Sequence, residues 1–379
     1  MRVLFVGARL FRDVAEYAGS TGVYRILTES NPESWDWELA DEVHFVPRGM
    51  EHPARIALER EVDGVVPLIG VDDPLLEVAE MKERLESEGI PVAASGLEGT
   101  RTGVDKIRAK RAFEELNIPT PEWEVVEDER PRLRPPLVVK DPRSQAGINV
   151  NVYERSVPRV HGRRLVEEFV EGAEVSIEVL SWDGEVVPLV PVFKGSTLDE
   201  DHPIERMRLA PAPLDGSVER GIKRCAVRLV KRLGLEGTVD FDVVVREDEF
   251  WFLEFNPRPS GTRYMTSGCS GVWPLRELVD MVVGRWRPPR VRKVWHAIEC
   301  PVWNASRREP LRERFDGGAY HVFYEYRGRM DVAGRITVRG ESFKEAFERL
   351  RSAFRAAGAN VRLAEKEFEL RIREAGKFL

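Results

Sequence analysis

Two neighbouring stretches, TVDFDVVVR at residues 238–246 and FWFLEFNPRPSG at residues 250–261, carry the reading of this chain. Each is an apolar run with polar residues at alternate positions, and the short EDE segment between them reads as a turn, so together they predict a β-hairpin. Residues two apart on a strand share a face, which puts Glu254 and Asn256 on one side and Leu253 and Phe255 on the other. Asp240 and Asp242 share a face of the partner strand in the same way. A hairpin therefore brings at least one of these aspartates beside Glu254. The result is a set of oxygen donors with no histidine or thiolate, which suits Mg²⁺ (or Mn²⁺) rather than a softer metal. The competing reading is a solvated polar face of an antiparallel sheet; a polar pair inside a run as apolar as FWFLEF argues against it.

Upstream features fit a phosphate-bearing ligand over such an ion. Lys140 ends the strand PLVVK and leads into DPRSQAGINV, a short polar loop that includes Ser144 and Gly147. Backbone N–H groups with an ammonium at their base can fold over a polyphosphate, with residues 143–149 as the lid, although a plain turn has the same composition. In LVEEFVEGAEVSIEV, Glu167 and Glu174 flank an apolar linker containing Phe169 and Val170. Such a linker can offer backbone groups to an adenine edge and carboxylates to an exocyclic amine and to ribose hydroxyls; an acidic surface strand is the alternative. Lys106 opens a helix directly behind Asp105, a good N-cap.

The chain has 379 residues and a net charge of −7, enough for two or three domains with real cores. The acidic balance argues against nucleic acid as a partner. No run approaches the roughly 18 apolar residues of a membrane span, so a cytoplasmic location is expected. Cys225, Cys269 and Cys300 are widely spaced and suggest neither a disulfide framework nor a zinc cage. Only 11 of the 58 basic residues are lysines, which draws attention to each of them. Residues 1–97 read as a Rossmann-like α/β unit, with strands at VLFVG, VYRILTE, DGVVPLIG and IPVAAS, but without a GxGxxG fingerprint. Residues 98–290 hold the motifs above in two lobes, with RPRLRPP read as a connection between lobes and PLVVK, GINVNVY, RLVEEFV and EVSIEVLSW alternating as antiparallel strands. Residues 291–379, beyond RWRPPRVRK, read as a small C-terminal α+β domain.

The order of these features, a helix lysine, a strand lysine with its loop, the E-F-V-x-G-x-E linker, then D-x-D and E-x-N-P-R, resembles the ATP-grasp superfamily over about residues 1–290. VGARL, ADEVHFV, VDGVVPLIG, TLDEDHPIERMRLAPAPLDGSV and SGCSGVWPLREL bring it nearest to the pyrrolysine-biosynthesis type of amino-acid ligase. It is more distantly similar to the carbamoyl-phosphate synthetase large subunit and D-alanine ligase. The resemblance implies an ATP-grasp fold of mixed α/β and α+β character with a Rossmann-like pre-ATP-grasp domain. It also implies ATP and Mg²⁺, with Lys106 and Lys140 on the phosphates, Glu167 on the adenine amine, Glu174 on the ribose and the Phe169 and Val170 backbone framing the base. Asp242 and Glu254 would be the chief metal ligands with Asn256 beside them, Asp240 being the alternative to Asp242, and Arg258 would steady the transferring phosphate.

The sequence departs from that pattern at RSQAGIN and at Pro203 to Arg206, and residues 291–379 extend beyond the match, so a product other than pyrrolysine's precursor is expected. The reaction expected is ATP-dependent joining of a small carboxylate to an amine through an acyl phosphate. Arg258, Arg263, Ser260 and Gly261 are candidates for holding a substrate carboxylate, and Asp199, Glu200 and Asp201 for holding an ammonium. Relatives of this kind are commonly dimers, so a homodimer is expected. Two other readings remain open: phosphorylation or carboxylation of the carbamoyl-phosphate synthetase or biotin carboxylase kind, and a non-catalytic ATP sensor.

Overall fold

The computed structural model describes residues 1–144, 149–157, 159–199, 205–291, 293–303, 319–323 and 332–379. The chain opens with β1 (Arg2–Val6), α1 (Arg12–Ser20), β2 (Tyr24–Glu29), β3 (Glu42–Phe45), α2 (Glu51–Glu59), β4 (Gly64–Pro67) and α3 (Leu75–Ser87). These strands form a parallel sheet in the order β3-β2-β1-β4, buried on both faces as its continuous apolar runs require. IPVAAS, expected as a further strand, supplies only an isolated bridge between Val65 and Val92. Pro91 within it has no N–H for a ladder, which limits pairing there.

Helices α4 (Leu97–Gly103) and α5 (Lys106–Glu115) lead to a second sheet, built from β5 (Trp123–Glu127), β6 (Leu137–Lys140), β7 (Val150–Tyr153) and β8 (Arg163–Glu168). It is antiparallel, in the order β5-β8-β6-β7. The chain then leaves this sheet, and EVSIEVLSW forms β9 (Ala173–Trp182) in a different one. The passage runs through Gly172, where a methyl group would lie 2.5 Å from the Val245 carbonyl oxygen. Only a residue without a side chain lets the two backbones pass so closely.

The third sheet adds β10 (Glu185–Pro188), β11 (Val192–Ser196), β12 (Arg208–Ala210), and, after α6 (Gly216–Leu233), the hairpin β13 (Gly237–Arg246) and β14 (Glu249–Asn256). Helices α7 (Arg263–Ser270) and α8 (Pro274–Val282) follow, then β15 (His296–Trp303), β16 (Ala319–Phe323), β17 (Val332–Gly340), α9 (Phe343–Ala356) and α10 (Val361–Phe378). The order β14-β13-β9-β11-β12-β15-β17-β16, with β10 on β9, makes one nine-stranded sheet. Among the described residues, 291–379 thus hold strands and helices, and β15 joins β12 in the same sheet across position 290/291. Arg208 pairs with Glu299 across β12 and β15, and one apolar core runs from Phe241 and Phe255 to Ile336, Leu350 and Phe354.

The hairpin is as expected, with one change of face. A bulge falls between Asp242 and Val243, so that Phe252, not Leu253, shares the core side with Phe255. The extra residue shifts the alternation by one. Phe241 stands 5.8 Å from Phe252 and 5.9 Å from Phe255, and these rings fill the core beneath the polar face.

Candidate active site

Strand register assembles one acidic face. Asp242 stands opposite Glu254, and Asp240 opposite Asn256; on the other side, Asp242 faces Ser176, Asp240 faces Glu178 and Val244 faces Glu174. Directly opposed residues share a face, so Glu174, Ser176, Glu178, Asp240, Asp242, Glu254 and Asn256 all rise from the side opposite the core. Val175, Ile177, Val179, Phe241 and Phe255 fill the other. Val192 stands opposite Ser176 on this face, and Lys194, two residues on along β11, reaches it too, its Nζ lying 2.5 Å from Asp242 Oδ1.

The small sheet and α5 bring cations down on these carboxylates. Asp105 caps α5 by accepting from the N–H groups of Ile107 and Arg108, so that Lys106 and Lys110, one turn apart, face the same way. Lys106 Nζ lies 2.8 Å from Glu254 Oε2 and donates to the Ser144 carbonyl oxygen at 2.6 Å. Lys140 and Glu167 are diagonal neighbours on β6 and β8, and they form a close ion pair. Lys110, fully buried, reaches the other oxygen of Glu167 at 2.7 Å and Thr120 Oγ1 at 2.7 Å. Four of the chain's 11 lysines therefore converge here.

The charges respond to one another. Burial disfavours ionisation of Glu254, but Lys106 and Lys140 outweigh it and hold the carboxyl at about 2. Burial, reinforced by Asp242, pushes Asp240 up to about 6. Burial and then Asp240 push Glu178 up to about 8, although its Oε1 accepts from the Ser260 N–H at 3.2 Å. Burial lowers Lys110, with Glu167 opposing; in Lys140 the carboxylates of Glu167 and Glu254 overcome burial and raise it.

The N-terminal domain completes the cleft wall. Arg258 Nε donates to Asp72 Oδ1 at 2.6 Å. Tyr264 donates to Asp13 at 2.7 Å, and Arg263 contacts the same carboxylate and the Ser260 carbonyl. Gly261 accepts from Arg208 at 2.8 Å. Glu174 is engaged by Arg206 at 3.2 Å. The N–H of Phe169 donates to the Pro136 carbonyl at 3.0 Å. Val170, just before the crossing, is buried.

Asp199 departs from expectation. Rather than waiting for an ammonium, it is buried between Arg371 at 2.5 Å and Arg206 at 3.5 Å. Its partner comes from the far end of the chain, where no local pattern could announce it. Glu200, Asp201 and Gly147 lie outside the described residues. Lys110, Lys194, Glu178, Asp72 and Arg206 were missed. Alternation along EVSIEVLSW puts Glu178 on the face of Glu174, and the scarcity of lysine marked Lys110 and Lys194; Asp72 and Arg206 had no comparable signal.

The donor set fits Mg²⁺ in kind: carboxylate and amide oxygens on adjacent strands, with Glu254 ionised. Among the described residues no group of three or more His, Cys, Asp or Glu is placed to hold a metal alone. Such an ion would therefore have to share its coordination with ligand oxygens, as Mg²⁺ commonly does with phosphates.

A cleft of paired lysines and carboxylates between two antiparallel sheets defines a class of nucleotide-dependent ligases, and the comparisons agree. The ATP-grasp domain family matches residues 104–262. A carbamoyl-phosphate synthase of Methanobrevibacter smithii is 36% identical, over 92% of this chain and 98% of its own length. A D-alanine–D-alanine ligase of Synechococcus is 29% identical, over 61% of this chain and 79% of its own. The biotin carboxylase domain of Hydrogenobacter thermophilus 2-oxoglutarate carboxylase, solved with MgADP and bicarbonate, superposes with a TM-score of 0.74 over 93% of this chain and 89% of that one, at 16% identity. The chain belongs to the ATP-grasp ligases. Among the described residues no helix is long and apolar enough to cross a membrane.

Proposed function

We propose that this protein is an ATP-dependent carboxylate–amine ligase that forms an amide between small amino-acid-like substrates through an acyl phosphate. The observation that carries the reading is the pairing of Lys106 with Glu254 and of Lys194 with Asp242. Cations suited to phosphate oxygens, and oxygens suited to a divalent ion, are held against each other at one place. In this reading Lys106 and Lys140 bind the phosphates, Glu174 binds the ribose, and Glu167 and the linker at Phe169 and Val170 face the base. Asp242, which stands directly opposite Glu254, is a better-placed metal ligand than Asp240, with Asn256 beside them. When bound, Mg²⁺ would draw charge off the phosphate oxygens.

The substrate carboxylate attacks the γ-phosphoryl group of ATP, releasing ADP and leaving an acyl phosphate. Arg258, fixed by Asp72, faces the transferring oxygens, and no side-chain nucleophile is needed. The amine then attacks the acyl carbon and phosphate departs. Arg263, Ser260 and Gly261 form the loop offered to the substrate carboxylate. The protein's contribution is positioning, fixed charge and exclusion of water.

Similarity to a carbamoyl-phosphate synthase along nearly its whole length favours a second reading, phosphorylation of bicarbonate. Incubation with ATP, Mg²⁺, pooled amino acids and hydroxylamine separates the two. A hydroxamate that requires a particular amino acid supports the ligase. Phosphate release that requires bicarbonate, with no hydroxamate, supports the second reading, and tight ATP binding without turnover would leave a sensor.

A further inference from the structure

The C-terminal helix ends against the nucleotide side of the cleft. Lys377 Nζ lies 2.8 Å from Glu171 in the crossing between the sheets, and the Phe378 carbonyl accepts from the Glu247 N–H at 2.9 Å. Between them and the core, Arg371 is wholly buried, with Nη1 2.5 Å from both Asp199 and Glu374 and Nη2 3.2 Å from Glu367. Gly195 makes room for it: a methyl group there would stand 2.5 Å from Nη1.

The contact continues inward. Asp199 holds Arg206 Nε at 3.5 Å and, through its carbonyl, Nη2 at 2.8 Å, while Arg206 Nη1 reaches Glu174 Oε1 at 3.2 Å. Arg206 is thus shared between two carboxylates. Arg371 draws on one of them and sets how strongly Arg206 is held by the other. Removing Arg371 takes away the nearer of the two arginines on Asp199 and leaves Arg206 as the other, and a buried carboxylate draws on a cation within reach. Arg206 would then swing toward Asp199 and release Glu174.

We infer that Arg371 is a positioning residue for nucleotide recognition, acting through Asp199 and Arg206 to fix the Glu174 carboxylate that faces the ribose. This assigns a role to the end of the chain, and it rests on the nucleotide reading above. A merely structural arginine would weaken all nucleotides alike, whereas one that acts through Glu174 changes how the protein tells ribose from its dideoxy analogue.

The test is calorimetric binding of ATP and of 2′,3′-dideoxy-ATP, with Mg²⁺ and no substrates, to the full chain. Wild type is expected to prefer ATP by about tenfold or more, the scale of a charge-assisted hydrogen bond. Arg371→Met is expected to bring the two affinities within about threefold of each other, like Glu174→Gln, and to add nothing in the Glu174→Gln background. Should Arg371→Met fail to fold, Arg371→Lys, which keeps the charge and loses the fork, is expected to show part of the same loss. A variant that folds and keeps the wild-type preference overturns the inference and leaves the nucleotide reading intact. A wild type that binds ATP without preferring it removes Glu174 from the ribose and the inference with it, and a wild type that binds no ATP overturns the nucleotide reading itself.

Discussion

Lys106 and Glu254 neutralise each other at 2.8 Å, with the lysine also bound to the Ser144 carbonyl. One comes from a helix end, the other from the middle of a hairpin, and each has a second task in the proposed reaction. Lys194 and Asp242 repeat the arrangement at 2.5 Å. Partly buried charges of this kind are tolerated because they are paired. In the proposed reaction, phosphates and a divalent ion would exchange the partners without leaving any of these charges alone.

Glu254→Gln removes the charge and keeps the shape. Turnover should fall by about tenfold or more, the scale of losing a charge-stabilising group at a reacting centre, while circular dichroism shows an intact fold. Unchanged turnover would take Glu254 out of the metal site.

Lys110 and Lys140 hold the same carboxylate but should answer differently. Lys110 is sealed in the core and also serves Thr120, so Lys110→Met should lower unfolding free energy by about 3 kcal/mol, as for breaking a buried pair. Lys140, at the base of the loop, should act on the ligand: Lys140→Ala should raise the ATP Kd about tenfold, the worth of one charge-assisted bond. Urea unfolding and calorimetry read the two effects separately.

Gly172 tests the crossing between the sheets. Gly172→Ala places a methyl group against the Val245 carbonyl and Val244, so the backbone must shift. The expected cost is about 1–3 kcal/mol of stability, in the range of overpacked sites, with weaker ATP binding because the linker moves with it. An unchanged melting temperature would show that the close approach relaxes freely.

Glu277 gives a pH test away from the cleft. It accepts from Trp286 Nε1 at 3.0 Å, and burial, then Asp280, pushes its carboxyl up from 4.5 to about 7. Between those values the unfolded chain gives up the proton more readily than the native one, so this group's contribution to stability falls as pH rises from about 4.5 to about 7. Glu277→Gln keeps an acceptor for the tryptophan and removes the titration. Its melting temperature should exceed wild type at pH 8 and approach it at pH 4; parallel curves would refute the assignment.

Much of this site was legible because its rules are local. Period-two alternation brought Asp240 or Asp242 beside Glu254, leaving the choice open, and Asp105 announced the helix that carries Lys106. The hairpin bulge could not be read: nothing in FWFLEF says that Leu253 is the residue left over. Asp199 looked available because its loop is acidic, and its arginine lies on the last helix. The extent of the central sheet was hidden for the same reason, since β12, paired with β11 on one side, finds its other neighbour only at β15.

That last pairing bears on synthesis. When the ribosome has made everything through Asn256, both halves of the Lys106–Glu254 and Lys194–Asp242 ion pairs exist, yet β12 still has a bare edge and the apolar layer beneath Phe241 and Phe255 lacks Ile336, Leu350 and Phe354. An unpaired edge over an unfinished core invites association with other chains. The nascent protein must therefore wait for β15 and β17 before it is safe from its neighbours, and a pause in translation between them would be felt as aggregation rather than as slow activity.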